Sequence, residues 1–490
     1  MTNPQQLLQS AVQHHQSGRL REAEALYRQV LQHQPDHPDA VHFLGVIAQQ
    51  VGKKDAAVQF MRRSLALNPN NPAFHINYAI ILQEQRQYDE ALAHCRQAIA
   101  LRPGFAEAHA NVGAVLTSSG KPEEGVGHLR RALALEPRNV KAHYNLADAL
   151  SKIGNYADAI HEYEQVLALD PDYAKAQFGL GLLRLLQGDF VRGWEGYEWR
   201  WQTADPSIPK RSFTQPLWDG SDLSGKTILL YSEQGYGDAI QFIRYLPRVT
   251  ERDGRVVLES LAGLTPLFRE LSGVEQMISW GEPLPAFDVR CPLMTLPKIF
   301  ATTLNTIPAE VPYLRAPQDR IAFWHDRLAG DSKHKVGLAW SGNPRHTNDR
   351  ERSIRPAVLA PLREIENVSF YSLQKNEASR AAVSSAVPDL PLRDLSDDIH
   401  DFADTAALIQ NLDLVVCVDT AVAHLAGALG KRVWLMIPFV PDWRWLLDRS
   451  DSPWYPTMRI FRQSRLRDWA GVVAEVAAAL RQCIERGPTP

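Results

Sequence analysis

The chain has 490 residues, too many for one hydrophobic core, so two or three domains are expected. Its 45% hydrophobic and 22% charged residues are those of an ordinary soluble globular protein, and a formal net charge of -3 excludes the basic field that would hold a nucleic-acid backbone. The cysteines Cys95, Cys291, Cys417 and Cys483 lie far apart without CxxC spacing, which argues for a reducing compartment and against a thiolate metal site.

The opening stretch MTNPQQLLQSAVQHHQSGRLREAE has no apolar segment of signal-peptide type, and no apolar window long enough to cross a membrane occurs, so a cytoplasmic protein is expected. Prolines fall at Pro35, Pro69, Pro103, Pro137 and Pro171, each 34 residues after the last. Twelve residues before each proline stands a small residue: Ala23, Ala57, Ala91, Gly125 and Ala159. Twelve further upstream stands another: Ala11, Gly45, Ala79, Gly113 and Ala147. Small residues where two helices cross, with proline after the second helix, make this the tetratricopeptide pattern, so residues 1–201 are expected to form an α-solenoid of five repeats plus a partial capping unit. Asn77, Asn111 and Asn145 share one position in the first helix of successive repeats. A row of amides in the groove could hydrogen-bond the backbone of an extended acceptor peptide; the alternative is that asparagine is merely a common polar helix residue. His75, His109 and His143 are in register too, a repeat apart and too far from one another to share a metal, and read as groove or surface residues. The DxD at Asp170-Pro171-Asp172 falls in an inter-repeat turn and reads as structural.

Residues 202–224 are rich in Pro, Ser, Gly and Asp and read as a linker. Beyond them short apolar runs alternate with helical segments, the pattern of parallel α/β architecture. KTILLYSE, RVVLES and FDVRCP are the expected strands of a first unit, 225–315. KVGLAWSGN, VSFYSLQ, LDLVVCVD, RVWLMIP and MRIFRQ are those of a second, 316–470, with PAVLAPLREI, DFADTAALIQ and TAVAHLAGALG as helices and a terminal helix and tail over 471–490. Ligands bind open α/β folds at the carboxyl ends of the strands, so the chemistry is sought there.

In SEQGYGDAIQFIRY a strand gives way to a Gly-containing turn and a helix beginning near Asp238. Gly235 and Gly237 let the backbone approach a ligand, but GYGD is not the dinucleotide fingerprint. Asp238 either caps the helix or takes a proton from a hydroxyl acceptor, with Glu233 as a neighbour able to play that part or raise the pKa of Asp238 by like charge. The loop of VGLAWSGNPRHTNDRERSI, with Gly342, Asn343 and Arg352, either offers donors to a diphosphate or is simply a solvated loop. Gln374 and Lys375 end the next strand on the same side. VVCVDTAVAHLAGALG runs a buried strand into a helix capped by Asp419 or Thr420, a natural anion site. There His424 either reaches a phosphate or bonds Asp419. No GxSxG elbow and no HExxH spacing accompany it. Asp442, Trp443 and Arg444, near Trp445, Trp454 and Tyr455, suit either a sugar or the docking of two domains.

DTAVAHLAGALGKRVWLMIP resembles the D-[ST]-[GA]-x-x-H-[LI]-A motif of the bacterial heptosyltransferases, a two-domain GT-B family that inverts configuration without a metal. The resemblance covers roughly residues 226–470. It implies nucleotide-phosphate contacts at Asp419, Thr420, Ala421 and His424, a base at Asp238 within Gly237-Asp238, and no cofactor beyond the nucleotide-sugar co-substrate. The family's lysine after the first strand of its second domain has no counterpart, and Arg352 stands in its place. The joint architecture is similar to O-GlcNAc transferases and to bacterial repeat-bearing transferases that modify proteins such as flagellin. The expectation is an inverting, metal-independent glycosyltransferase acting on a protein in the repeat groove. The alternatives are a lipopolysaccharide or polysaccharide acceptor, with the repeats serving assembly, and a non-catalytic scaffold.

Overall fold

The computed structural model describes residues 3–203, 211–346, 348–375, 381 and 385–486. Residues 204–210 of the expected linker, and those of SLQKNEA beyond Lys375, lie outside them. The chain folds as two compact units, residues 1–176 and 177–490.

In the first unit the leading helices of the repeats begin at Pro4, Pro38, Pro72, Ala106 and Val140, and their partners at Leu20, Lys54, Tyr88, Pro122 and Tyr156. Proline is tolerated at such starts because the first turn's N–H groups have no intrahelical acceptor. The turn between partners needs a left-handed residue, supplied by Gly18, Gly52, Gly120 and Gly154 and, in the third repeat, by Arg86 at φ 61°. Where the helices cross, the small residues are buried. In the fourth repeat, a Cβ on Gly125 would stand 2.8 Å from the Gly113 carbonyl oxygen.

The histidine row differs from its expected place. His75 and His143 are buried and His109 half-buried. Each ring sends Nε2–H to the carbonyl of the preceding inter-repeat proline: His75 to Pro69 at 2.9 Å, His109 to Pro103 at 3.3 Å, His143 to Pro137 at 3.0 Å. The asparagines are half-buried. Asn111 donates to its own helix at the Glu107 carbonyl (2.8 Å), and Asn77 Nδ2 donates to Nε2 of buried His42 at 2.8 Å.

That last bond makes His42 sensitive to acid. Its Nε2 must stay unprotonated to accept from Asn77, its Nδ1 has no partner, and its ring stacks on Phe74 at 4.1 Å. Burial lowers its pKa from 6.5 to about 4. The unfolded chain therefore binds this proton first, so stability is fully present above about pH 6.5 and falls as pH drops toward about 4. The loss amounts to about 3 kcal/mol at 1.4 kcal/mol per unit. Denaturant titrations at about pH 7 and about pH 5 should show the His42→Gln chain losing less stability than the parent. An unchanged slope would remove His42 from the account.

The second unit opens with the rest of helix Ala174–Leu186 and helix Phe190–Tyr197, crossing where Gly181 and Gly196 leave no room for a side chain. Trp194 Nε1–H donates to the Thr302 carbonyl at 2.9 Å, so the segment expected to lead out of the array is built into the α/β part.

Two parallel sheets follow. The first holds β1 (Thr227–Tyr231), β2 (Arg255–Ser260), β3 (Gln276–Ser279) and β4 (Val289–Pro292) in the order β3-β2-β1-β4. The second holds β5 (His334–Ala339), β6 (Val368–Ser372), β7 (Leu392–Arg393), β8 (Leu414–Val418), β9 (Val433–Ile437) and β10 (Met458–Arg462) in the order β10-β9-β8-β5-β6-β7. The apolar runs β1, β6, β8 and β9 are buried along their whole length, as parallel strands covered on both faces must be. β3 and β7 were not expected. PAVLAPLREI, expected as a helix of the ordinary kind, is a 3-10 stretch, Pro356–Glu364, with Pro361 inside it. Helix Trp469–Glu485 covers the second sheet, packing Val472, Val473, Val476 and Leu480 into the cluster of Leu338, Val416 and Trp434. Among the described residues no helix is long and apolar enough to cross a membrane.

Candidate functional site

Strand order reverses between β1 and β4 in the first sheet and between β5 and β8 in the second. At such points the loops leaving adjacent strands diverge and open a crevice at the carboxyl ends. Of the segments singled out in the sequence, three leave β1, β5 and β8, strands that flank these points.

After β1 the chain enters helix Tyr236–Phe242, which packs against helix Ala421–Ala428 following β8. A Cβ on Gly237 would lie 2.8 Å from His424 Cδ2 and 3.6 Å from the Ala421 Cα. The close approach that glycine permits is thus to His424, where the sequence suggested a ligand. Gly237→Ala is expected to destabilise the second unit by about 1–3 kcal/mol, the usual result of overpacking. A double-mutant cycle with His424→Asn should show the two changes coupled, and additivity would mean the two residues do not meet this way.

Arg444 is the electrostatic hub. Its buried guanidinium donates to Asp238 Oδ1 at 2.5 Å, Asp442 Oδ1 at 2.9 Å and Gln241 Oε1 at 2.6 Å. Burial opposes its charge, but Asp442 and Asp238 hold its pKa above the ordinary arginine value. Asp238 also accepts the Gly235 N–H at 2.9 Å through Oδ2. It therefore caps the helix from inside the first turn, with Gly235 at the cap position, and the helix starts at Tyr236, two residues before its expected start. The Asp238 side chain keeps 22% of its exposure, so a hydroxyl can still reach it.

Across the crevice, burial first and then Asp442 push the Asp419 carboxyl up to about 6. His424 Nε2 lies 4.0 Å from Asp419 Oδ1, beyond hydrogen-bond reach. His424 Nδ1 pairs with the Tyr455 hydroxyl at 2.9 Å, and its ring stacks on Trp445. Burial and then Arg444, Arg244 and Arg352 hold its pKa well below the ordinary value, so the imidazole is neutral. Thr420 is the cap residue of helix Ala421–Ala428, yet its buried hydroxyl has no partner. An unpartnered donor beside free helix N–H groups suits an anion.

The β5 loop brings Arg352 to the same place. Arg352 donates to the Asp419 carbonyl at 3.2 Å and lies flat against Gly342, where a Cβ would stand 2.5 Å from its Nη2. Asn343 is exposed and accepts the Arg345 N–H at 3.0 Å. Gln374 and Lys375 are spent on the fold. The Gln374 amide bridges the Ser341 N–H and carbonyl (3.2 and 3.1 Å), and Lys375 Nζ donates to the Ser396 and Ile399 carbonyls. One residue went unselected in the sequence. His346 is exposed at the surface, yet the protein atoms around it and then Arg352 lower its pKa against the pull of Asp442 and Asp238, which places it in the same field. Its membership of the polar β5 loop was the available signal.

Glu233 stands apart from the opening. It is buried with Arg200, whose Nη2 it accepts at 3.2 Å, and takes the Met294 N–H at 3.3 Å. Burial pushes it up to about 7 against the pull of Arg200, and Asp238 and Glu198 add to the rise.

The aromatic cluster docks the two sheets. Trp443, Trp445, Trp454 and Tyr455 are all buried. Trp443 and Trp454 pack edge to face at 6.1 Å, and Phe242 meets both. Buried Arg244 donates to the Trp454 carbonyl at 2.7 Å and the Tyr313 hydroxyl at 3.1 Å. Trp443 is buried among Trp194, Phe242 and Trp454, the arrangement that the docking reading of Asp442-Trp443-Arg444 describes, while Asp442 keeps 35% of its side-chain exposure.

Known proteins resemble both kinds of architecture in the chain. Tetratricopeptide-repeat models match residues 14–77, 52–115 and 116–161, and a second such model matches 144–206. The model of glycosyltransferase family 9 (heptosyltransferase) matches residues 398–434, the stretch carrying β8, Asp419, Thr420 and His424. The chain is similar to protein FlbA of Caulobacter vibrioides, 28% identical over 324 residues, which are 61% of this chain and 53% of that protein. The match thus spans about half the length of that relative. Similar solved structures include a thermophilic tetratricopeptide-repeat protein, TTC0263, of Thermus thermophilus (22% identity, 37% of this chain, 100% of that one, TM-score 0.34). PilF of Pseudomonas aeruginosa is another (23% identity, 41% and 89%, TM-score 0.35).

Proposed function

We propose that this chain transfers a sugar from a nucleotide-sugar to a hydroxyl acceptor, with inversion and without a metal. The observation that carries the reading is that the family 9 segment contains Asp419, Thr420 and His424, and that His424 packs against Gly237, the neighbour of Asp238. Thr420, the helix N-terminus and Arg352 would receive the diphosphate and stabilise the charge it gains on leaving. Asp238 would accept the acceptor's proton as the new C–O bond forms and the bond from the sugar carbon to the phosphate oxygen breaks. Neutral His424 would fix the turn through Tyr455 and offer Nε2 to a phosphate oxygen.

The acceptor is proposed to be a protein held by the repeats. The match of the repeats to tetratricopeptide models supports this, and the registered asparagines are the candidate contacts, although Asn77 and Asn111 already have partners within the array. A thermal-shift screen of nucleotide-sugars tests the reading, followed by hydrolysis and transfer assays with the best binder in the presence of a chelator. A rise in melting temperature with chelator-insensitive turnover is expected. If no nucleotide-sugar or nucleoside diphosphate stabilises the chain and none turns over, the scaffold reading replaces this one. Replacing Asn77, Asn111 and Asn145 together should weaken acceptor binding, and indifference would favour a glycan acceptor.

A further inference from the structure

Three successive repeats place a second polar residue 19 positions after the registered histidine, on the partner helix facing it. His75 Nδ1 meets His94 Nδ1 at 2.9 Å, His109 Nδ1 meets His128 Nδ1 at 3.3 Å, and His143 Nδ1 meets Glu162 Oε2 at 2.5 Å. The first two contacts are unusual in chemistry. Because His75 and His109 commit Nε2–H to proline carbonyls, their Nδ1 atoms carry lone pairs aimed at a second imidazole nitrogen. A carbonyl holding the far N–H is also the support that metal-binding histidines use to fix ring and tautomer.

We propose that His75–His94 and His109–His128 are two equivalent sites for a borderline divalent transition metal such as Cu2+ or Zn2+, each bound by two imidazole nitrogens. Two nitrogens bound to one tetrahedral ion at 2.0–2.1 Å stand about 3.3 Å apart. The His109–His128 pair already has that separation, and the His75–His94 pair needs to open by about 0.4 Å. On binding, the proton on His94 or His128 moves from Nδ1 to Nε2, so each ion replaces a bridging hydrogen without a change in charge on the rings. Both His94 and His128 are only half-buried, so solvent can supply the remaining ligands. That is required, because no group of three or more His, Cys, Asp or Glu side chains able to hold a metal exists among the described residues. Neither site includes a residue of the crevice, so these ions would clamp helix pairs within the array.

The test uses the full chain titrated with Cu2+, which nitrogen sites bind most tightly among the divalent first-row ions. Stoichiometry is read by equilibrium dialysis and the ligand set by electron paramagnetic resonance, beside the His94→Gln/His128→Gln double variant. The parent should bind two more equivalents than the double variant, show two coupled nitrogens per copper, and gain melting temperature that the variant does not. Should the double variant misfold, each single variant is expected to lose one equivalent. Equal stoichiometry in parent and variants would assign all binding to surface histidines and overturn the proposal. So would a parent spectrum with one nitrogen per copper.

Discussion

Asp238→Asn is expected to lower sugar transfer by about 10²- to 10⁴-fold, the usual range for loss of a positioned base. The change keeps the shape and leaves one oxygen to accept from either Arg444 or Gly235, but it removes the lone-pair basicity that deprotonation needs. The amide also turns an N–H toward one of these donors, so a loss of about 1 kcal/mol in stability should accompany it. Donor binding, measured by thermal shift, should survive. That split separates a reacting residue from a merely structural one, since a structural role would weaken binding and turnover together. Full turnover in the variant would move the proton-accepting role elsewhere, and His346 would then be the next residue to replace.

Arg444→Met is expected to destabilise the second unit by about 3 kcal/mol, at the lower end of the range for breaking a buried ion pair. Three acceptors lose the guanidinium at once: Asp238, Asp442 and Gln241, the last fully buried, while Asp238 and Asp442 each keep a backbone N–H. The two carboxylates keep some exposure, 22% and 35% of their side chains, and water relieves part of the cost. Arg444→Lys should recover only part of the loss, because an ammonium cannot serve three acceptors placed for a planar fork. Denaturant midpoints measure both. A methionine variant within about 1 kcal/mol of the parent would show that the aromatic contacts, not this arginine, hold the sheets together.

The repeats were legible because local rules repeat. Proline after the second helix and small residues where the helices cross are each favoured by short-range sterics, and a period of 34 multiplies the signal. Even so, Arg86 fills the turn position that glycine takes elsewhere, and only the backbone reveals it. The histidine row was visible as a register. Its partners His94, His128 and Glu162 were not, because nothing in the sequence singles out a residue on the facing helix.

In the second unit the strands with continuous apolar runs announced themselves, while β3 and β7 did not. QMIS is half-exposed and LR spans two residues, so neither carries the hydrophobic run that marks a buried strand. The loops after β1, β5 and β8 could be chosen beforehand because parallel sheets bind at their carboxyl ends. What each side chain does there could not. Gly237 against His424, Asp238 against Arg444 and Arg352 against Asp419 are meetings of residues far apart in the chain. Likewise Gln374 and Lys375 looked like ligand contacts until the fold supplied backbone partners for them.

The sequence by itself determined the solenoid, the parallel α/β class and the loops that leave β1, β5 and β8, since these follow from local sterics and hydrophobic periodicity. Tertiary structure alone decided which polar groups remain open to a ligand. A carboxylate, imidazole or amide is available only where no other part of the chain has reached it first, and that depends on contacts between distant segments. At this site the Thr420 hydroxyl is left without a partner, Asp238 is held by Arg444 and Gly235 but keeps part of its side chain exposed, Arg444 and the tryptophans lock the sheets, and Glu233 is sealed beneath them.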